Sequence, residues 1–445
     1  MAVRAKLLIG AVVLAYTGLA GAIGCTPAAA EALLLIDAGT GKVLHAENAG
    51  YPWYPASLTK LMTLYATLQA ISDHRITPDK LITVSAKATA QAPTKMGFQP
   101  GTQVTVDNAL KMLMVKSAND MAVALAEGIS GSTEAFADEM NATARRLGMV
   151  QSSYVNPNGL PADNQITSAR DLGILARSLI RDFPEYEFYW HLPGIKLGKR
   201  VTRNYNKLLT SYPGADGMKT GYICASGFNL VATATRNGKH LIAVVLGAPS
   251  SATRALKAAQ LLERGFNGGT LTWLTPSLGT VDELTPIAAA PPNLRDEMCG
   301  DRHRGKPAAE DEETASGDSD ASAVTLSALQ APLEKGFSLN ESSQPAGDPV
   351  EVFTGPAKQP SRAELIAEAK WKAAAPTAVR SVPIVTGSTN KPATPAKVAS
   401  AGPWTSLTPT PLANASAPAI AAALAEPPAG VPLPRPRPAN AARKH

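Results

Sequence analysis

The sequence predicts an α/β domain of the α+β kind, with one antiparallel sheet flanked by helices, a helical insertion, and a long C-terminal tail that does not pack. Three observations predict it. Strand patterns stand at both ends of residues 31–267, helical periodicity fills the stretch between them, and proline use changes beyond Pro286. Of the 36 prolines in the 445-residue chain, 23 lie at or after Pro286, against four of the 23 aromatic residues, Phe337, Phe353, Trp371 and Trp404. A proline-rich stretch so poor in large apolar side chains buries too little surface to offset the entropy of ordering it.

The chain opens with Arg4 and Lys6, an apolar run over 7–23, and Ala28, Ala29 and Ala30. A charged start, an apolar middle and a small-residue exit form a secretory signal peptide over 1–30, cleaved after Ala30; an uncleaved anchor is the alternative. Ala22-Ile23-Gly24-Cys25 is similar to a lipoprotein signal in its Gly-Cys pair, although such signals usually carry Leu where Ala22 stands. No later stretch approaches the ~20 apolar residues needed to span a bilayer. The expectation is an exported protein, in the periplasm or on the outer face of the cell membrane. Wall or membrane association would run through the N-terminus or the tail.

Leu33, Leu34, Leu35 and Ile36 read as a strand, the glycine-containing stretch 38–41 as a turn, and Lys42-Val43-Leu44-His45 as the returning strand. Leu58, Leu61, Leu64, Tyr65 and Leu68 share a helical face. Ser168 to Asp171 predicts a capping box ahead of Leu172, Leu175, Leu179 and Ile180. Phe228, Leu230, Ala232 and Ala234 alternate, Asn237-Gly238 supplies a tight turn, and 241–246 returns. A last helix starts near Ser250 or Ser251 and runs through Leu256, Ala259 and Leu262 to Gly265. Residues 268–300 form a transition segment, where Trp273, Leu274 and Leu278 pack on the domain. From 301 to 445 the tail carries an acidic stretch over 310–320, one short helix over 361–374, and a polyproline-like run over 431–439 around Arg435 and Arg437. That run serves either as a docking arm or as solvated chain.

With 42 basic and 36 acidic residues the net charge of +6 is spread along the chain, which argues against nucleic acid as a partner. Three cysteines exclude a disulfide-dense scaffold, and without a Cys-x-x-Cys pair or a His-Glu-x-x-His run no metal or other cofactor is indicated. Cleavage after Ala30 leaves Cys224 and Cys299 in an oxidising compartment. Either they pair and staple the start of the tail to the domain, the reading adopted here, or they stand as separate thiols.

Three short motifs carry the chemistry: Ser57-Leu58-Thr59-Lys60, Ser117-Ala118-Asn119 and Lys219-Thr220-Gly221. Each is weak alone, since serine followed three residues later by lysine arises by chance roughly once or twice in a chain this long. A second copy stands at Ser388 and Lys391, with no apolar helix behind it. The copy at Ser57 opens a helix, so the hydroxyl and the amine share one face. A serine hydroxyl becomes a nucleophile when a neighbouring base takes its proton. Lysine can be that base only if burial or nearby positive charge lowers its pKa, and Lys219 supplies part of such a field if the fold brings it close. The N–H of Ser57, at the helix start, is placed to stabilise an oxyanion.

The ordered set, with 60 positions from Ser57 to Ser117 and about a hundred more to Lys219, resembles the low-molecular-mass penicillin-binding proteins, specifically the serine D-alanyl-D-alanine carboxypeptidases. The likeness covers roughly 32–266. It extends to Tyr54-Pro55-Ala56 and Leu61-Met62-Thr63 around the first motif, Met96-Gly97-Phe98, Asn156-Pro157-Asn158-Gly159-Leu160, and Asp216-Gly217-Met218 and Tyr222 around the third. The resemblance implies a β-lactamase/transpeptidase-like fold and no cofactor. It implies Ser57 as the acylated nucleophile, Lys60 as its base, Ser117 as proton relay, and Asn119 as holder of the substrate amide. Lys219, Thr220 and Gly221 would line the substrate strand and its terminal carboxylate, and the N–H groups of Ser57 and Tyr222 would form the oxyanion hole. Arg203 and Arg254 resemble positions near the carboxylate site, or else form surface ion pairs. The implied substrate is a peptidoglycan stem peptide ending in D-Ala-D-Ala, with β-lactams as covalent inhibitors. Asn158 departs from the family, where many members carry histidine. Two alternatives stay open. A β-lactamase would need a deacylating glutamate, and Glu185 and Glu187 do not stand in the expected loop pattern; an inactive wall-binding protein would keep the fold alone.

Overall fold

The computed structural model describes residues 31–268, 277–300 and 347–356. The signal peptide and Cys25, Trp273 and Leu274, and the readings at 310–320, 361–374 and 431–439 lie outside them. A second unit, Ile366–His445, lies wholly outside as well.

β1 (Ala32–Asp37) and β2 (Val43–Glu47) form the opening hairpin. Then come α1 (Thr59–Ser72), the short strands β3 (Leu81–Thr83) and β4 (Gln103–Thr105), and α2 (Val106–Val115), α3 (Asn119–Ser130), α4 (Thr133–Arg146) and α5 (Ala169–Asp182). A second small hairpin, β5 (Gly194–Leu197) and β6 (Arg200–Arg203), precedes the meander β7 (Ala215–Ile223), β8 (Gly227–Arg236) and β9 (Lys239–Ala248), and α6 (Ser251–Phe266) follows.

The main sheet has the order β2-β1-β9-β8-β7, and each neighbouring pair is antiparallel. Its halves come from the two ends of the domain, joined where Leu34 faces Val244 and Ile36 faces Ile242. Successive side chains on a strand point to opposite faces. Leu34, Ile36, Ile242 and Val244 therefore join the core shared with α1–α5, whereas Leu35, Leu241, Ala243 and Val245 pack with Ala258, Ala259, Leu261 and Leu262 of α6. Covered on both faces, β8 and β9 read as nearly continuous apolar runs, and each fully buried Leu or Val contributes about 1.5–3 kcal/mol.

The helix starts follow the sequence with one correction. Ser250 Oγ accepts the Thr253 N–H at 3.0 Å to open α6, and Ser168 Oγ accepts the Asp171 N–H at 3.1 Å to open α5. The expected capping box at Ser168 is only half made. The Asp171 carboxylate turns away to accept from the Gln151 N–H, the Ser152 hydroxyl and Arg170, so it fixes the neighbouring loop instead of its own helix end. Burial pushes that carboxyl above its ordinary pKa.

Parts of the described transition segment pack against the domain. Thr280 and Glu283 make a reciprocal capping box, Val281 is buried, and the Ile287 N–H bonds the Gly50 carbonyl at 2.8 Å. Leu278, by contrast, is exposed. Cys224 and Cys299 are joined by a disulfide with a Cα–Cα distance of 5.7 Å. Within the stretch expected to lack packing from 301, residues 347–356 differ: β10 (Val350–Val352) pairs in parallel with β5, and Val352 is buried. Two valines at alternate positions suffice because β5 offers an unpaired edge, which composition averaged over 145 residues conceals.

Candidate active site

Ser57 stands in a 3₁₀ turn, Ala56–Leu58, that leads directly into α1. The turn is clamped from outside. Trp53 Nε1 donates to the Ser226 carbonyl at 3.0 Å, and Asn229 Nδ2 donates to the Tyr54 carbonyl at 3.0 Å. Ala56 takes φ 47°, a left-handed conformation that costs a non-glycine residue about 1–3 kcal/mol. Such strain persists only where the surroundings over-determine it.

One turn later, Lys60 is completely buried, while Ser57 remains partly exposed. The Lys60 ammonium donates to Ser57 Oγ at 2.9 Å, Asn119 Oδ1 at 2.7 Å and the Asn158 carbonyl at 2.6 Å. These acceptors come from the start of α1, the start of α3 and the 156–160 loop. A neutral amine in the same place can keep the Asn119 and Asn158 bonds and turn its lone pair toward the serine proton, so the geometry accommodates a base. The departure at residue 158 does not reach this contact. Lys60 meets the backbone carbonyl, whereas the Asn158 side chain donates to Gln91 Oε1 at 2.8 Å.

The second motif is equally constrained. Ser117 has φ 57° and is buried, and its Oγ has no hydrogen-bond partner among the described residues. Its carbonyl accepts from Thr94 Oγ1 at 3.1 Å, and the Asn119 amide donates to the Ala92 carbonyl at 2.9 Å. Asp120, which the sequence reading passed over, accepts the N–H groups of Met96 and Gly97 at 3.0 and 2.9 Å and so holds that loop to the start of α3. Burial raises its carboxyl pKa, while those donors oppose the shift.

The third motif lies on β7. Lys219, Thr220 and Gly221 are buried, and Lys219 Nζ donates to the Thr220 carbonyl at 2.9 Å. A Cβ on Gly221 would stand 3.0 Å from the backbone nitrogens of Ser57 and Leu58, so β7 passes the nucleophile's turn at a distance only glycine permits comfortably. Gly159 makes a tighter approach, since a Cβ there would lie 1.9 Å from the Ala56 carbonyl oxygen at φ 85°. The first and second motifs thus meet through Lys60 and Asn119, and the first and third through Gly221. Tyr222 stacks on Phe228 at 4.3 Å, its hydroxyl lies 3.3 Å from Cys299 Sγ, and burial pushes its phenol pKa up.

The two arginines separate. Arg254 is buried at the head of α6, donates to the Asn229 carbonyl at 3.2 Å and lies over the Phe228 ring. Arg203, exposed at the end of β6, donates to the Gly347 carbonyl at 3.1 Å and makes no hydrogen bond to the three motifs. From that segment it is Asn206 that reaches β7, donating to the Gly217 carbonyl at 2.8 Å. Asn206 and Asn229 were both missed in the sequence. Their only signal is an amide within an apolar or aromatic setting, Tyr205-Asn206 and Phe228-Asn229-Leu230, where a buried polar group must have partners. Glu185 is exposed in a one-turn helix after α5.

A family model described as D-alanyl-D-alanine carboxypeptidase, peptidase S11, matches residues 23–250. The D-alanyl-D-alanine carboxypeptidase DacC of Escherichia coli is 38% identical over 244 residues, covering 53% of this chain and 61% of the relative. DacF of Bacillus subtilis is 34% identical over 246 residues, covering 54% and 62%. The chain therefore spans about three fifths of the length of these curated relatives. Among solved structures, penicillin binding protein 6B from Escherichia coli is 37% identical with a TM-score of 0.51, covering 53% of this chain and 76% of that one. Penicillin binding protein 5 from Haemophilus influenzae is 36% identical with a TM-score of 0.51, covering 53% and 70%.

Proposed function

The chain belongs to the D-alanyl-D-alanine carboxypeptidase family, peptidase S11, and on that premise we propose that it removes the terminal D-alanine from peptidoglycan stem pentapeptides through an acyl-enzyme on Ser57. The observation that carries the reading is Lys60, buried within hydrogen-bond reach of Ser57 Oγ and held there by Asn119 and the Asn158 carbonyl. Ser57 Oγ attacks the carbonyl carbon of the penultimate D-alanine while its proton passes to Lys60. The oxyanion is met by the N–H groups of Ser57 and Tyr222, whose charge-directed donation is worth most in a water-poor site. Ser117, its hydroxyl free of protein partners among the described residues, relays a proton to the leaving amine, so the C–N bond breaks with release of neutral-amine D-alanine. Asn119 holds the substrate amide, and Lys219 and Thr220 take the free carboxylate, with the buried Arg254 behind β8. Water then attacks the ester while Lys60 takes its proton, the bond from the carbonyl carbon to Ser57 Oγ breaks, and Lys60 returns the proton to Oγ, which regenerates Ser57.

The same serine would be acylated by β-lactams, whose strained amide stands where the D-Ala-D-Ala bond is cleaved. An exported chain fits this substrate, which lies outside the cytoplasm; no helix among the described residues is long and apolar enough to cross a membrane. The test is D-alanine release from an acyl-Lys-D-Ala-D-Ala peptide by the full chain beside Ser57→Ala. Release by the parent and none by the variant is expected, together with penicillin labelling of the parent alone. Labelling that persists in Ser57→Ala would move the nucleophile elsewhere.

A further inference from the structure

Beside the nucleophile's turn lies a cleft of about 260 Å³ lined by the end of β7 and the turn after it, Ile223 and Ala225. Tyr54, Pro55 and Ala56 line it as well, as do Leu160 to Asp163. Asn293 and Arg295, from the transition segment, add a further wall. Both lie outside the residues matched by the family model, 23–250. Three attachments hold this segment: the Leu294 N–H bonds the Ala225 carbonyl at 3.0 Å, the Leu294 side chain is buried, and the Cys224–Cys299 disulfide follows.

The direction of the substrate decides what reaches the cleft. Its leaving carboxylate faces Lys219 and Thr220, and its scissile carbonyl faces Ser57 and Tyr222. A chain laid along β7 must then carry its acyl side past Tyr222, toward Ile223 and Ala225. One residue of extended chain advances about 3.3 Å, so the residue preceding D-Ala-D-Ala follows one step beyond Tyr222, toward Ile223 and Ala225 of the cleft lining. Arg295, in that lining, is exposed and forms no ion pair with any described residue, and the same holds for Asp163.

We propose that this cleft is the subsite for the residue preceding D-Ala-D-Ala, and that Arg295 reads a carboxylate at the end of its side chain, with Asp163 suited to an ammonium on the same group. The inference rests on the carboxypeptidase reading and extends it to substrate choice. Arg295 offers a planar donor pair that matches a carboxylate, and Asn293 adds an amide beside it. The disulfide is the device that fixes both at the end of β7.

Three acyl-X-D-Ala-D-Ala peptides test it on the full chain, with the side chain of X ending in a carboxylate and an ammonium together, in an ammonium alone (lysine), or in neither (norleucine). The expected kcat/KM falls in that order. Arg295→Gln should lower kcat/KM for the first peptide about three- to ten-fold, mostly through KM, as for a partly exposed ion pair, and leave the norleucine peptide unchanged. Arg295→Lys should retain part of the preference, and Cys299→Ser, which frees the 293–299 segment, should lose it as Arg295→Gln does. Penicillin labelling of Ser57 at the parent's rate verifies that each variant is folded. Equal kcat/KM for the first and third peptides in the parent would overturn the subsite, as would an Arg295→Gln effect of the same size on both. Failure of the parent to release D-alanine from any peptide would instead overturn the carboxypeptidase reading, and the subsite with it.

Discussion

The two walls of the site are built on different physical terms. On the wall formed by α1 and α3, side chains do the joining: Lys60 reaches Ser57, Asn119 and the Asn158 carbonyl, and each bond depends on a particular functional group. The wall formed by β7 comes against the nucleophile's turn at Gly221, which matters there for the atom it lacks. Where chemistry is concentrated in functional groups, removing one should abolish it. Where shape is the contribution, adding an atom should do the damage.

Replacing the functional groups is the largest break. Ser57→Ala should remove D-alanine release and penicillin labelling altogether, and Lys60→Ala should slow acylation by at least the ~10²–10⁴-fold of a positioned general base. Stopped-flow acylation with a chromogenic β-lactam checks both. A loss below tenfold for Lys60→Ala would assign the base elsewhere. The next effect comes from adding one methyl. Gly159→Ala would drive a Cβ into the Ala56 carbonyl, and the resulting shift of the loop that holds Lys60 should cost about 10²-fold in acylation. Gly221→Ala, whose contacts are 3.0–3.2 Å, should cost less, and reversal of that order would show that the approach of β7 is not what sets the site's shape.

Support behind the walls should register in stability more than in rate. Asn229→Ala leaves the Gly247 N–H without its acceptor and releases the Tyr54 carbonyl, a loss of about 1–3 kcal/mol measurable by urea denaturation. The smallest expected effect is at Arg203, whose exposed guanidinium holds, among the described residues, the Gly347 carbonyl alone: Arg203→Ala should change stability by no more than ~0.5 kcal/mol and leave KM for the peptide unaltered. A tenfold rise in KM would return Arg203 to the carboxylate site.

The same contrast explains what could be read in advance. Local periodicity and turn chemistry are properties of neighbouring residues, so the β8–β9 hairpin, the helix behind Ser57 and the Ser250 cap were legible. The three motifs were legible as an ordered set because side-chain chemistry has few ways to build a serine nucleophile with a lysine base. Partners far apart in sequence leave no such trace. Asn229 is 175 positions from the Tyr54 carbonyl it holds, and nothing near Asp171 indicates that its carboxylate serves Gln151 and Ser152 before its own helix. Arg203 drew attention because arginine suits a carboxylate, yet the residue from its segment that touches β7 is the less conspicuous Asn206. β10 escaped notice because its pairing depends on an available edge on β5 more than on its own three residues.

Left-handed backbone at Ala56, beside Ser57, and at Ser117, two residues before the Asn119 that holds Lys60, sets thermal robustness against turnover. A glycine at either position would relieve strain of about 1–3 kcal/mol, yet at 117 it would delete a hydroxyl and at 56 it would loosen the turn that aims the nucleophile. Directed evolution for heat resistance and directed evolution for rate should therefore pull these two positions in opposite directions, and libraries selected on survival at high temperature alone would accumulate well-folded, slow enzymes.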